Sequence, residues 1–335
     1  MNAKATVAAP ANIAFIKYWG ARDLERTLPA NPSISMTLSE CLTLTTVAFE
    51  AGSDEPDRID IVRDDGSVEL PSLRFRERAV QQLERVRRWA GRGGSFRVAT
   101  RNSFPTGSGI ASSASGFAAL TLASARALGL ELTIDEQSAL ARMSGSGSAA
   151  RSVLGGYVEW RGEGDPAGET RTLFPATHWD LRDVIVVVDG DPKDVPSIEG
   201  HRRAGSSPHF ETRQRLLGAR LEATRHAIAA RDLSALGPVL EEEAVELHLI
   251  AMSSRPPLFY WKPATLAVLE RIRRARADTG VAAWATMDAG ANVHVICPPS
   301  DEVDVVRVVE DLPGVRNVLL DGVGIGPEGR TEHLF

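Results

Sequence analysis

The residues able to do chemistry in this chain fall in a few well-separated places. In FPTGSGIASSAS (104–115), Gly107 and Gly109 stand where a backbone can turn tightly and come close to a ligand. Ser112 and Ser113 follow, at the start of a small-residue run with helical character. The first turn of such a helix offers unpaired N–H groups and a positive dipole end, a cradle for polyphosphate. The lysine of a P-loop is missing, and a serine-capped turn alone would use the same residues. Lys17 ends NIAFIK (12–17) and shares the alternate-residue face of Ile13 and Phe15, as a solvated strand-end lysine or as a fixed cation. Arg151 follows SGSGS (144–148), where its planar fork could grip a carboxylate or phosphate, or simply face solvent from a helix. Asp288 opens the turn DAGAN (288–292), as a general base or as an ordinary turn residue.

These segments also resemble known blocks. PTGSGIASSA (105–114) is similar to the phosphate-binding motif of the GHMP kinase superfamily. NIAFIKYWG (12–20), LPANPSISMTL (28–38), SGSGSAARSVLGGYVEW (144–160), KDVPSIEG (193–200) and TMDAGANVHV (286–295) resemble the mevalonate diphosphate decarboxylase family, in the family's order and across nearly the whole chain. The resemblance implies an α+β protein with the GHMP kinase fold. Residues 1–180 would form an ATP- and phosphate-binding half like ribosomal protein S5 domain 2, and residues 181–335 a ferredoxin-like half, with the site between. The implied enzyme is an ATP-dependent decarboxylase (a carboxy-lyase) of isoprenoid biosynthesis by the mevalonate pathway. It phosphorylates the 3-hydroxyl of a 5-phosphorylated mevalonate and then releases phosphate and carbon dioxide.

The chemistry fits those residue types. A 3-hydroxy acid has no carbonyl placed to accept the electrons freed with carbon dioxide, and a phosphate leaving group at C3 supplies that acceptor. Such a site needs a phosphate cradle, a group acting on the hydroxyl proton, and cations that fix anionic groups. The resemblance assigns Asp288, Lys17 and Arg151 to catalysis, with Lys17 keeping Asp288 ionised. It assigns Asn12, Tyr18, Ser146, Gly147, Ser148, Arg151 and Ser197 to the substrate, and Gly107, Gly109, Ser112, Ser113 and Lys193 to ATP. The metal expected is Mg²⁺ carried with ATP and touching Ser112 or Ser113, with no metal site built from protein alone. His201, His209, His248 and His294 lack metal-ligand spacing, and His294 sits in an apolar run as a structural histidine.

The pattern departs from the family at the phosphate end. Members using the diphosphate usually read KYWGK, where this chain has Ala21, and Ile198 stands where some bacterial members carry arginine. Losing one charge-assisted contact of this kind costs about 1.5–3 kcal/mol. The expected substrate is therefore mevalonate 5-phosphate, giving isopentenyl phosphate. Mevalonate 5-diphosphate is the alternative, with Arg22 standing in for the missing lysine, and a GHMP kinase that does not decarboxylate is the further one.

The elements that must position these groups are readable in outline. Strands are expected at 12–18, 34–49, 58–63, 184–189, 281–287 and 292–297. Helices are expected at 72–90, stopped by Gly91, at 112–128, and from Thr133, where Thr133 and Glu136 make a capping box; helical patterns dominate 210–275. The arginines of 72–90 read as a solvated face. A net charge of -6 argues against a general nucleic-acid binder, and 43% hydrophobic residues suit a globular protein. Two cysteines without metal spacing, no signal-peptide pattern and no long apolar run point to the cytoplasm and away from membranes. A homodimer is expected from the family.

Overall fold

The computed structural model describes residues 3–104, 112–162, 170–190 and 195–335. The chain opens with β1 (Ala3–Ile16) and a short ribbon of β2 (Ala21–Asp23) and β3 (Leu28–Pro29). β4 (Ser33–Ala51), β5 (Arg58–Val62) and β6 (Val68–Glu69) lead to helix α1 (Leu73–Ala90). β7 (Gly94–Asn102), α2 (Ser112–Ala127), α3 (Ile134–Arg142), β8 (Tyr157–Trp160) and β9 (Thr170–Phe174) complete the first half. Then come β10 (Arg182–Val187), α4 (Ser197–Arg203), α5 (Phe210–Ala230), α6 (Leu233–Ser253) and α7 (Pro263–Thr279). β11 (Trp284–Thr286), β12 (Val293–Cys297), α8 (Glu302–Val309), β13 (Asn317–Gly322) and β14 (Glu328–Arg330) close the chain.

Local chemistry sets the helix ends. The Ser72 hydroxyl accepts the Phe75 N–H, and Gly91 stops α1 in the left-handed region. Thr133 and Glu136 form the expected capping box on α3.

One sheet runs β14-β1-β4-β7-β5-β6, with β8 bridging β4 and β9; a second, antiparallel, runs β11-β12-β10-β13. β4 is long enough to carry β1 on one side and both β7 and β8 on the other. One core lies between the first sheet and α1–α3. Another packs the second sheet against α7 and α8. A third joins the halves, putting Ile13, Phe15 and Met36 against Ile185, Leu221 and Leu240. Among the described residues no helix is long and apolar enough to cross a membrane.

That shared core changes the reading of β1. The strand ends at Ile16 instead of running to residue 18, and Ile13, Phe15 and Ile16 are all buried. It has no solvated face, because α2 covers one side and the second half the other. Two register shifts against β4, at Pro10–Asn12 and Ala14–Ile16, bend its end. Bulges re-aim side chains, and here they flank Asn12 and Lys17.

Candidate active site

Lys17 leaves β1 just past the ladder and is 1% exposed. Its ammonium donates to the Ala14 carbonyl at 2.6 Å and to Asp288 Oδ1 at 2.8 Å. Asp288 stands in the turn between β11 and β12, and a quarter of its side chain is exposed. His248 Nε2, on α6, lies 3.1 Å from the Asp288 carbonyl and steadies that turn. Burial pushes the Asp288 carboxyl up, but Lys17, with smaller help from His294 and Arg151, outweighs it and holds the group below the usual carboxylate range. Burial lowers the Lys17 ammonium, opposed by Asp288 and Glu243. The lysine is a fixed ion-pair partner and not a solvated strand end.

Arg151 follows a short turn of helix at Gly147–Ala150 and is also 1% exposed. Its guanidinium donates to Asn12 Oδ1 at 3.0 and 3.3 Å, to Ser35 Oγ at 3.0 Å and to Ser33 Oγ at 2.5 Å. Every one of those acceptors is neutral, so a buried cation is oriented here with no carboxylate paired to it among the described residues. Burial brings its pKa down to about 10, with Asp288 and Tyr18 opposing. A cation held in this way is complementary to an anionic ligand. Asn12 stands behind it: its amide also donates to Ser148 O at 3.2 Å and Ser152 Oγ at 2.8 Å, fastening the serine loop to β1.

The serine loop meets the start of α2. Ser113 Oγ lies 3.2 Å from Ser146 Oγ, which is 3.5 Å from Ser148 Oγ, and Ser112 opens the helix. Gly147 has to be glycine, because a Cβ there would come within 2.4 Å of the Tyr18 ring. Tyr18 stacks on His201 of α4, with ring centroids 4.0 Å apart. His201 Nδ1 accepts the Gly20 N–H at 3.2 Å, which puts the proton of a neutral ring on Nε2, and burial takes its pKa down to about 3. Gly20 itself has φ +91° and faces the Phe210 ring. Ser197 begins α4, one turn before His201.

The expected residues Lys17, Asp288, Arg151, Asn12, Tyr18, Ser112, Ser113, Ser146, Gly147 and Ser148 thus form one connected group, with Ser197 reached through α4. Gly107, Gly109 and Lys193 lie outside the described residues. His294 is buried on β12 against Asp183, Nδ1 to Oδ2 2.7 Å, as a structural histidine would be. Among the described residues no group of His, Cys, Asp or Glu is arranged to hold a metal ion.

Three charged residues at this site were not singled out in the sequence. Arg78, read as part of a solvated face, lies half-buried with its guanidinium over Phe117, 4.4 Å from the ring centroid, and donates to Ser144 O at 3.3 Å. Its Nη2 and Ile198 Cδ1 flank Gly145. Burial lowers its pKa to about 10, and no carboxylate pairs with it among the described residues. The helical wheel held the signal, since Arg78 sits between Phe75 and Gln82 on the inward stripe. Arg22, by contrast, donates to Gly162 O at 2.6 Å. The other two, Arg213 and Glu243, are fully buried beneath Lys17.

Fold and site together define a GHMP kinase fold with a serine-lined helix start beside a lysine–aspartate pair. A family model described as diphosphomevalonate decarboxylase-like N-terminal domain matches residues 9–171, and one described as mevalonate 5-diphosphate decarboxylase C-terminal domain matches 183–319. The chain belongs to the diphosphomevalonate decarboxylase family. It is 34% identical to a diphosphomevalonate decarboxylase of Ganoderma lucidum, over 94% of this chain and 83% of that one. It is 35% identical to the one of Homo sapiens, over 88% and 76%. The mevalonate diphosphate decarboxylase of Enterococcus faecalis superposes with TM-score 0.88 at 31% identity, over 98% of this chain and 99% of that one. A solved complex of MDDEF with MVAPP, AMPPCP and magnesium gives 0.89 at 32%, over 98% and 99%. These relatives are named for the diphosphate, the alternative substrate, and not for the monophosphate suggested by Ala21 and Ile198.

Proposed function

We propose that this protein uses ATP to convert mevalonate 5-diphosphate into isopentenyl diphosphate, releasing ADP, phosphate and carbon dioxide. The observation that carries the reading is the pairing of buried Lys17 with Asp288 beside Arg151, a desolvated cation with no carboxylate paired to it among the described residues. Asp288 accepts the hydrogen of the substrate's 3-hydroxyl and aims that oxygen at the γ-phosphate. A carboxylate held below its usual range is a weak base. That suffices, because a loose phosphoryl-transfer transition state needs orientation more than early proton removal. The proton passes to Asp288 as the C3 phosphate ester forms. Departure of that phosphate leaves C3 electron-poor, and the C1–C2 bonding pair moves in to make the C2=C3 double bond as carbon dioxide leaves. Arg151 holds an anionic group of the substrate so that this bond keeps its alignment.

The serine hydroxyls converging at α2 are hard oxygen donors, suited to ATP phosphates and to Mg²⁺ on them, with Ser112 and Ser113 nearest the helix start. When bound, Mg²⁺ neutralises phosphate charge. Arg78 supports the diphosphate, as a cation at the Ser144–Gly145 turn beside Ile198, where the family's arginine is missing. Ala21 keeps the monophosphate as a second reading. Two buried free cysteines accord with a cytoplasmic setting, and a homodimer belongs to the same proposal.

The test compares kcat/KM for both substrates while ADP and carbon dioxide are measured together. One carbon dioxide per ADP, with preference for the diphosphate, is expected. ADP without carbon dioxide would make the protein a kinase, and a monophosphate preference would select the second reading. Asp288→Asn should lower kcat about 10²–10⁴-fold while nucleotide still binds; near-normal turnover in that variant contradicts the role of Asp288.

A further inference from the structure

Glu243 on α6 and Arg213 on α5 are fully buried, and they meet at the main chain of Lys17. The Lys17 N–H donates to Glu243 Oε2 at 2.9 Å. Arg213 Nη2 donates to the Lys17 carbonyl at 2.8 Å and to the same Glu243 oxygen at 2.7 Å, closing a ring with the Lys17 main chain. Asn31 completes it: its Nδ2 donates to the Lys17 carbonyl at 2.9 Å while its Oδ1 accepts from Arg213 Nη1 at 3.1 Å. Arg220 holds the other Glu243 oxygen at 2.8 Å. Both main-chain polar groups of Lys17 are therefore fixed where the strand ladder has ended.

We propose that Glu243 and Arg213 are positioning residues for the reaction, fixing the Lys17 backbone so that its ammonium meets Asp288. A lysine carries its charge on a flexible four-carbon stem, so the place of Nζ depends on the place of Cα. A misplacement of about 1 Å in a reacting constellation can cost on the order of a hundredfold in rate. Stability alone is a weak reason for the arrangement, since a buried ion pair is often matched by apolar packing. The helices of the second half thus set the geometry of a lysine supplied by the first. Asp288 is faced by Lys17, His294 and Arg151, and Glu243 by Arg213, Arg220 and Lys17. Loosening Lys17 removes the main cation acting on Asp288 and lets its carboxyl titrate at higher pH.

This inference rests on the roles proposed above for Lys17 and Asp288, so the experiment includes Lys17→Met. kcat/KM is measured between pH 4.5 and 9 for wild type, Lys17→Met, Glu243→Gln, Glu243→Asp and Asn31→Ala, alongside thermal unfolding. Comparison with wild type cancels the substrate's own titration. Glu243→Gln should lose at least tenfold in kcat with KM for ATP within about threefold, and its acid limb should move to higher pH, in the same sense as Lys17→Met. Glu243→Asp should recover part of both effects. Should Glu243→Gln fail to fold, Asn31→Ala decides, since it leaves no buried charge unpaired; a smaller shift in the same sense is expected. A lowered Tm with kcat and acid limb unchanged, in whichever of the two folds, would overturn the proposal. If the limb stays in place even in Lys17→Met, the role of the lysine falls first and this inference with it.

Discussion

Arg78→Met separates the two substrates most directly. Methionine is a good helix former and keeps an unbranched apolar stem over Phe117, so the change removes mainly the charge. Two contacts go with it. The stacking on Phe117 is worth about 0.5–1 kcal/mol, and the bond to Ser144 O about 1 kcal/mol. Relief of a half-buried cation offsets part of this, leaving about 1 kcal/mol and a Tm shift of about 1–2 °C. The effect on the substrate should be larger. A charge-assisted contact to the distal phosphate is worth about 1.5–3 kcal/mol, and partial exposure places this one toward the lower end. At about 1.4 kcal/mol per tenfold, kcat/KM for the diphosphate should fall about ten- to thirtyfold, with little change for the monophosphate. A coupled assay of ADP release, run with each substrate at saturating ATP, reads that ratio directly. Arg78→Lys, which restores a point charge without the fork, should return part of it. Equal losses on both substrates, or none, would refute the assignment of Arg78 to the distal phosphate.

Two other perturbations test the geometry. Gly147→Ala should displace the Tyr18 ring, whose edge would lie 2.4 Å from the new Cβ, and lower kcat/KM at least about tenfold; normal kinetics would mean that Tyr18 is not where it has to be. His201 concerns pH. Its folded pKa, brought to about 3 by burial, lies below the unfolded value of about 6.5, so the unfolded chain binds the extra proton between those values. Stability from this group therefore falls as pH drops through that window. His201→Gln, which can still accept the Gly20 N–H, should flatten the decline of Tm between pH 7 and 4.5, and an unchanged slope would contradict the buried neutral imidazole.

Much of this was legible in the sequence because the signals were local. Gly91 and the Thr133–Glu136 box mark helix ends through contacts spanning three or four residues. Lys17, Arg151 and Asp288 were identifiable because each stands in a block of ordered motifs. What stayed hidden depends on contacts across the chain. Nothing near Lys17 announces that Glu243, 226 positions away, holds its amide. Glu241, Glu242 and Glu243 read alike in sequence, and only the packing of α6 buries the third. Arg78 was masked for a similar reason, among neighbouring arginines that do face solvent. β14 is too short and too polar to declare itself; its pairing partner alone makes it a strand.

That last strand has a consequence for how the chain can be divided. β14 returns to pair with Thr6–Ala8 of β1, and the tail beyond it is fastened to the first residues. His333 Nδ1 lies 2.7 Å from Thr6 Oγ1, the Leu334 N–H donates to Thr46 Oγ1 at 2.9 Å, and Lys4 donates to the Phe335 carbonyl at 2.9 Å. The second half is therefore an insert between two stretches of one sheet. A fragment cut near residue 180 would expose an open edge along β1, ready to pair with another chain. During synthesis that edge of β1 stays open until Glu328–Arg330 have been made.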